Sequence, residues 1–196
     1  VYIMEDNFET WTSTNFTSNQ MKSALWDVIY NGLASDRCGS GVDGAKALTF
    51  AGSGSRYAIT KSLNIASGGW LEADVFFAPQ GFDISHPECK TAYSGGIDVE
   101  YSIDEGVSWN AWHHFDAWEK RNIKFFHVEL EFTAEVSQSS VRFRFIQEFF
   151  DAARDAWALD NVKVYRYLPS DWHTGSAFSS ILTQTQESIQ RWQCCF

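Results

Sequence analysis

The chain has 196 residues, 44% hydrophobic and 16% aromatic, with 9 Trp and 16 Phe. That is enough apolar material for one domain with a real core, and too much for a disordered chain. The formal net charge is −10 and no run of Lys and Arg exceeds two residues, so no basic face exists for phosphate backbones or anionic lipid.

The opening VYIMEDNFE lacks the basic segment and apolar run of a secretory signal, although a signal removed earlier is compatible with it. NFT at 15–17 makes Asn15 an N-glycosylation acceptor, which adds weight to a secreted setting. LWDVIYNGLA (25–34) is expected to pack an aromatic against the edge of a sheet before the loop SDRCGSGVDG. From Ala45 to about Tyr167 the pattern is short strands between turn residues, at 45–51, 55–63, 70–78, 95–103, 107–115, 123–132, 140–150 and 156–167. Ile97, Val99, Tyr101 and Ile103 alternate with Asp98, Glu100 and Ser102, and Val141, Phe143 and Phe145 alternate with Arg142 and Arg144. Period two marks strands with one face in a core and one in water. About eight to ten such strands without a helical period predict an all-β fold, an antiparallel β-sandwich or jelly roll, over 1–168. After Pro169 the alternation stops. Residues 169–196 read as a tail or a linker to a following domain, with Ile181, Leu182, Ile189 and Trp192 as a candidate helical stripe. The longest apolar runs, such as VFFAP at 75–79, are too short to cross a bilayer.

Four cysteines, Cys38, Cys89, Cys194 and Cys195, lack C-x-x-C spacing and have no histidine pair near them, which argues against zinc. Adjacent Cys194 and Cys195 would close a strained ring on each other, so each is expected to seek a separate partner, in sequence beyond this chain. Cys38 and Cys89 are free to serve each other.

SIDEGVSW at 102–109 has the form S-x-D-x-G-x-S-W, the Asp-box known from sialidases. Its residue types explain a hairpin without a substrate. Asp104 can accept backbone N–H groups in an Asx turn, Gly106 supplies positive φ, Ser102 and Ser108 bond across the turn, and Trp109 is expected to return to the core. One copy and eight scattered arginines do not make the multi-bladed sialidase site. GSGSR at 52–56 leads into a strand, where a nucleophile elbow needs a helix. His113 and His114 are neighbours on a strand and so point to opposite faces. Glu129 and Glu131 share one strand face and read as a solvated edge.

Five segments in order, EDNFE (5–9), CGSGVDGAKALTFAGSGSRYAITKSLN (38–64), ECKTAYSGGIDVEYSIDEGVSWN (88–110), VRFRFIQ (141–147) and DAWALDNVKV (155–164), make the chain similar to a reelin-type repeat. The resemblance is to one jelly-roll subrepeat and covers about residues 3–166. It implies an extracellular, non-enzymatic module used for protein contacts, with a Cys38–Cys89 disulfide; the alternative is two buried thiols. Such domains resemble carbohydrate-binding jelly rolls that hold a structural Ca²⁺ near the first and last strands. That implies Glu5, Asp6, Glu9 and Asp160 as ligands, with Asp43 as a weaker candidate. The plainer alternative leaves Glu5 and Asp6 solvated and Asp160 capping a turn. Two departures, the dense HHFDAWEKRNIKFFHVEL (113–130) and a tail unlike a Cys-rich module, point to a larger extracellular protein that borrows the module.

The expected function is therefore a non-catalytic adhesion or assembly module of a secreted or cell-surface glycoprotein. Its partners would be other extracellular proteins or neighbouring domains of the same chain. The alternative is a carbohydrate-binding module in which Trp112, His114 and Trp118 stack on sugar rings instead of packing internally. A third reading is a building block of a structural filament.

Overall fold

The alternation in VRFRFIQ is kept residue by residue: Val141, Phe143 and Phe145 are fully buried, while Arg142 and Arg144 turn outward into ion pairs. The computed structural model describes residues 1–11, 23–36, 38, 41–78, 89, 95–120, 125–150 and 155–168. Asn15, Cys194, Cys195 and the tail after 168 lie outside them.

Eleven strands are present among the described residues, slightly more than the sequence suggests: β1 (Tyr2–Asp6), β2 (Trp26–Tyr30), β3 (Gly32–Ser35), β4 (Ala47–Phe50), β5 (Arg56–Thr60), β6 (Gly69–Phe77), β7 (Gly96–Ser102), β8 (Asn110–Asp116), β9 (Phe126–Glu131), β10 (Arg142–Gln147) and β11 (Trp157–Arg166). They form two antiparallel sheets. The first runs β3-β4-β11-β6-β9 with β1 also on β11, and the second runs β2-β5-β10-β7-β8. Their inner faces meet in one core that includes Trp26, Leu48, Phe50, Phe143, Phe145 and Trp157. Among the described residues no helix is long and apolar enough to cross a membrane.

Two expectations need correction. Residues 25–34 form two strands in different sheets, because Asn31 takes a left-handed φ of 55° and turns the chain from β2 into β3. The Asn31 side chain fixes this corner by donating to the carbonyls of Ser53 and Ser55. Trp26, on the edge strand β2, points into the core with no exposed surface. Ile103 was expected on the inner face with Ile97 and Val99, yet it is 51% exposed. Strand β7 ends at Ser102, so Ile103 already belongs to the turn.

Strand β11 is the spine of the first sheet. It pairs with β6 on one side, and on the other with β4 through Trp157–Leu159 and β1 through Val162–Tyr165. Its partner changes at Asp160 and Asn161, where Asn161 takes a φ of 47° and the β6 register shifts.

At one end of the sandwich, Arg56 is fully buried. It donates to the Gly52 carbonyl, to Gln147 Oε1 at 2.8 Å and to the Asp155 carbonyl at 2.8 Å, and it lies 3.9 Å from the Phe150 ring centroid. Cys38 and Cys89 are joined in a disulfide across 51 residues of sequence. Cys89 packs there with Ala78 and Ala156. A cross-link of that span removes loop entropy from the unfolded chain worth about 4 kcal/mol. A C38S/C89S variant should lose about that much stability in guanidinium unfolding. A loss below about 1 kcal/mol would mean that packing alone holds the two segments together.

Candidate functional site

The Asp-box residues converge as a closed hydrogen-bonded turn. Asp104 Oδ1 accepts from the Ser102 hydroxyl at 2.7 Å and the Ser108 amide at 2.9 Å, and Oδ2 accepts from the Ser108 hydroxyl at 2.5 Å. The Ser102 hydroxyl in turn accepts the Gly106 amide at 2.8 Å. Glu105 and Gly106 take φ of 62° and 89°, so two successive residues are left-handed, not the glycine alone. With donors on both oxygens, the Asp104 carboxyl is lowered to about 2, led by its bond to the Ser108 side chain. Glu105 ties the turn to β10 through Arg142, which holds it at 2.7 Å and also reaches Asp27 at 2.5 Å. Trp109 does not enter the core as expected. It sits half-buried against the outer face, with the Arg144 guanidinium 4.5 Å from its ring centroid. Arg144 is itself anchored by Glu100, so a fixed cation is available there to hold the ring.

Of the acidic residues implied as calcium ligands, Glu5, Asp6 and Asp43 border one pocket beside Trp11 and Leu25. Glu5 and Asp6 follow each other on β1 and therefore face opposite ways. Glu5 is outward, 3.5 Å from Lys163 Nζ. Asp6 turns inward and accepts from the Phe8 amide, from Trp11 Nε1 and from Trp26 Nε1 at 2.8 Å. Glu9 and Asp160 instead flank the loop 41–46. Glu9 Oε1 accepts the Lys46 amide at 2.6 Å. Asp160 Oδ2 accepts the amides of Val42 at 2.6 Å and Asp43 at 3.4 Å, and Oδ1 accepts that of Asn161 at 2.8 Å. The Asp43 side chain is exposed on the loop. Burial pushes the Asp160 carboxyl up, against the pull of these three amides.

Among the described residues no three acidic, histidine or cysteine side chains converge as a metal set. Oxygens of mixed origin approach the loop 41–46 at two points. A Cβ on Gly41 would lie 2.3 Å from the Lys46 carbonyl and 2.5 Å from Asp160 Oδ2, and one on Gly44 would lie 2.5 Å from Glu9 Oε1. Two carboxylates with main-chain oxygens are donors of the kind calcium takes.

The three residues considered for sugar stacking do not share a platform. Trp112 packs inward, 5.5 Å from Phe143 and 5.8 Å from Phe132. A register shift between Val99 and Glu100 leaves Trp112 without a partner on β7, which puts it on the same side as Phe115, three residues on. His114 faces outward, 2.7 Å from Asp98, and Trp118 is 52% exposed in the turn after β8. Sequence reading missed Tyr30 and Tyr57, directly opposed on β2 and β5 with rings 5.5 Å apart and 14° from parallel. The signal was present: in RYAIT the outward residues Tyr57 and Ile59 are as apolar as the inward ones.

Comparison with known proteins gives a family and a fold. The family model described as Reelin subrepeat B matches residues 31–164. The C-terminal family 22 carbohydrate binding module of Clostridium thermocellum Xyn10B is 12% identical over 84% of this chain and 94% of its own, with a TM-score of 0.51. A xylan-binding domain of the same module family gives the same identity, coverage and TM-score. The K3 adhesin domain of Lys-gingipain from Porphyromonas gingivalis is 13% identical over 84% of this chain and 99% of its own, with a TM-score of 0.46. The two family 22 module likenesses establish a shared antiparallel sandwich.

A carboxylate whose folded pKa lies below its unfolded value adds stability above the unfolded value and loses it as pH falls through the folded one. Asp104 should therefore support the hairpin fully above about pH 4 and progressively less towards pH 2. Asp104→Asn should melt below the parent protein at pH 7, with the gap closing over that interval. A gap that is constant down to pH 2 would show that charge on Asp104 is irrelevant to the turn.

Proposed function

Because the chain belongs to the reelin subrepeat B family, we propose that it is a non-catalytic extracellular module that makes adhesion or assembly contacts within a larger secreted or cell-surface glycoprotein. The observation that carries this reading is the Asp-box itself. Both oxygens of Asp104 are taken up by Ser102 and Ser108, leaving a turn lock in place of a reactive carboxylate. The Cys38–Cys89 disulfide supports an oxidising compartment. Partners are other extracellular proteins or neighbouring modules of the same chain. A second reading, glycan binding, is favoured by the outward Tyr30–Tyr57 pair. Repetition of the module along a filament is compatible with the first reading and would need further copies.

The full chain, immobilised and exposed to its native matrix, should retain a defined partner that elutes with soluble module. A chain that stays monomeric and retains nothing would remove the adhesion reading.

We also propose a structural Ca²⁺ in the loop 41–46, held by Glu9, Asp160 and the Lys46 carbonyl, with Asp43 alongside. An ion there would offset the burial cost of the Asp160 carboxylate and tie the ends of β1 and β4 to β11. At a hundredfold excess over its dissociation constant, calcium should add about 2.7 kcal/mol, which is roughly 5–10 °C for a domain of this size. Glu9→Ala and Asp160→Ala should each abolish the dependence. An identical melting temperature in EDTA and in millimolar calcium would count against the ion.

A further inference from the structure

The outer face of the β2-β5-β10-β7-β8 sheet is only half polar. One cross-strand row reads Tyr30, Tyr57, Ile146, Asp98 and His114 across all five strands. The next reads Val28, Ile59, Arg144, Glu100 and Ala111. Towards β2 the rows are apolar and towards β8 they are mostly charged. Tyr30, Tyr57, Val28, Ile59 and Ile146 are neither buried in the core nor fully exposed, so each keeps part of its surface in solvent. A face that only met water would carry polar residues throughout.

The charged half is cross-linked by polar side-chain pairs. Arg144 Nε donates to Glu100 Oε2 at 2.5 Å, and Asp98 meets His114 at 2.7 Å. Arg142 bridges Asp27 and Glu105, and Lys61 reaches Asp27 at 3.1 Å. Asp27, Glu100 and Glu105 each have an Arg or Lys partner and Asp98 has a histidine, in a chain whose net charge is −10. The acidic surplus lies partly on the other sheet, where Glu72 directly opposes Glu129 and Trp70 opposes Glu131. A polyanion finds no positive field on the outer face of the second sheet, and a basic partner would be drawn to the other one.

We infer that the face carrying Tyr30, Tyr57, Arg144, Glu100 and Asp98 binds a neutral oligosaccharide, an inference that rests on the glycan reading of this module. A pyranose has an apolar C–H face and a rim of hydroxyls that both donate and accept. Tyr30 and Tyr57 stack on each other and offer their remaining ring surface to the first. Arg144, with Trp109 over its guanidinium, supplies donors and Glu100 and Asp98 acceptors to the second, oriented by the Arg144–Glu100 and His114–Asp98 contacts. The rows cross four interstrand spacings, about 19 Å in all, so the ligand is an extended chain of sugars and a monosaccharide binds weakly.

The test is calorimetric titration of the full chain with neutral xylo-, manno- and gluco-hexasaccharides, with heparin fragments as the charged control. At least one neutral hexasaccharide should bind, more tightly than its monosaccharide and with little change on raising salt. Tyr57→Ala should weaken binding about tenfold or more, as loss of a central aromatic contact does, while Tyr57→Phe retains it. Should Tyr57→Ala fail to fold, Arg144→Gln carries the same expectation with the melting temperature as control. The inference is overturned if no neutral hexasaccharide binds at millimolar concentration, if only heparin binds, or if folded Tyr57→Ala binds as the parent does. Retention of a protein partner together with a silent glycan panel would leave the module reading standing and remove this one alone.

Discussion

Strand β11 has β6 along one side, but on the other side it must be shared between β4 and β1, laid end to end. A strand that changes partner mid-length leaves amides at the junction with no ladder to enter, and buried unpaired amides are costly. Asp160 stands at that junction and accepts the β11 amide of Asn161, together with the amides of Val42 and Asp43 from the exposed loop 41–46. The cost is a carboxylate with no exposed surface, partly offset by three donors. Asp160 thereby ties the loop 41–46 to the seam between the first and fourth strands.

The same device recurs elsewhere. Asp6 gathers two indole N–H groups and an amide, which pins Trp11 and Trp26 against the first strand. Asp104 gathers two hydroxyls and an amide to close the β7–β8 turn. Arg56 does the converse, donating to carbonyls at the far end of the sandwich. In each case one charged group satisfies several backbone or ring partners that no strand reaches. On the outer face of the second sheet, by contrast, charged groups are paired with one another and the Tyr30 and Tyr57 rings remain partly open.

Much of this was legible in the sequence, for a physical reason. Side-chain period two is local, so the inward faces of β7 and β10 could be read from Ile97, Val99, Phe143 and Phe145. The Asp-box turn could be read because its partners lie within six residues of one another. What escaped the sequence depends on non-local facts. The corner at Asn31 needs Ser53 and Ser55 to accept its amide. Trp112 faces inward only because β7 and β8 slip register, and Trp109 stays outside because Arg144 is anchored from β7. Of the acidic residues grouped near the first and last strands, Glu9 and Asp160 flank one loop while Glu5 and Asp6 diverge, a split that one-residue parity on β1 dictates. The apolar outer face of β5 was hidden because Tyr57 and Ile59 alternate with Ala58 and Thr60, which blurs the inside-outside contrast.

The central claim is that these carboxylates are structural locks on a rigid binding module. Native-state amide exchange at Val42, Asn161, Gly106 and Ser108 tests it most directly, because each amide lies in a loop or at a strand irregularity and is held by a side chain in place of a ladder. The account predicts exchange as slow as that of neighbouring amides in β11 and β7, opening only with larger units of the fold. Exchange at the rate of solvated loops would contradict it.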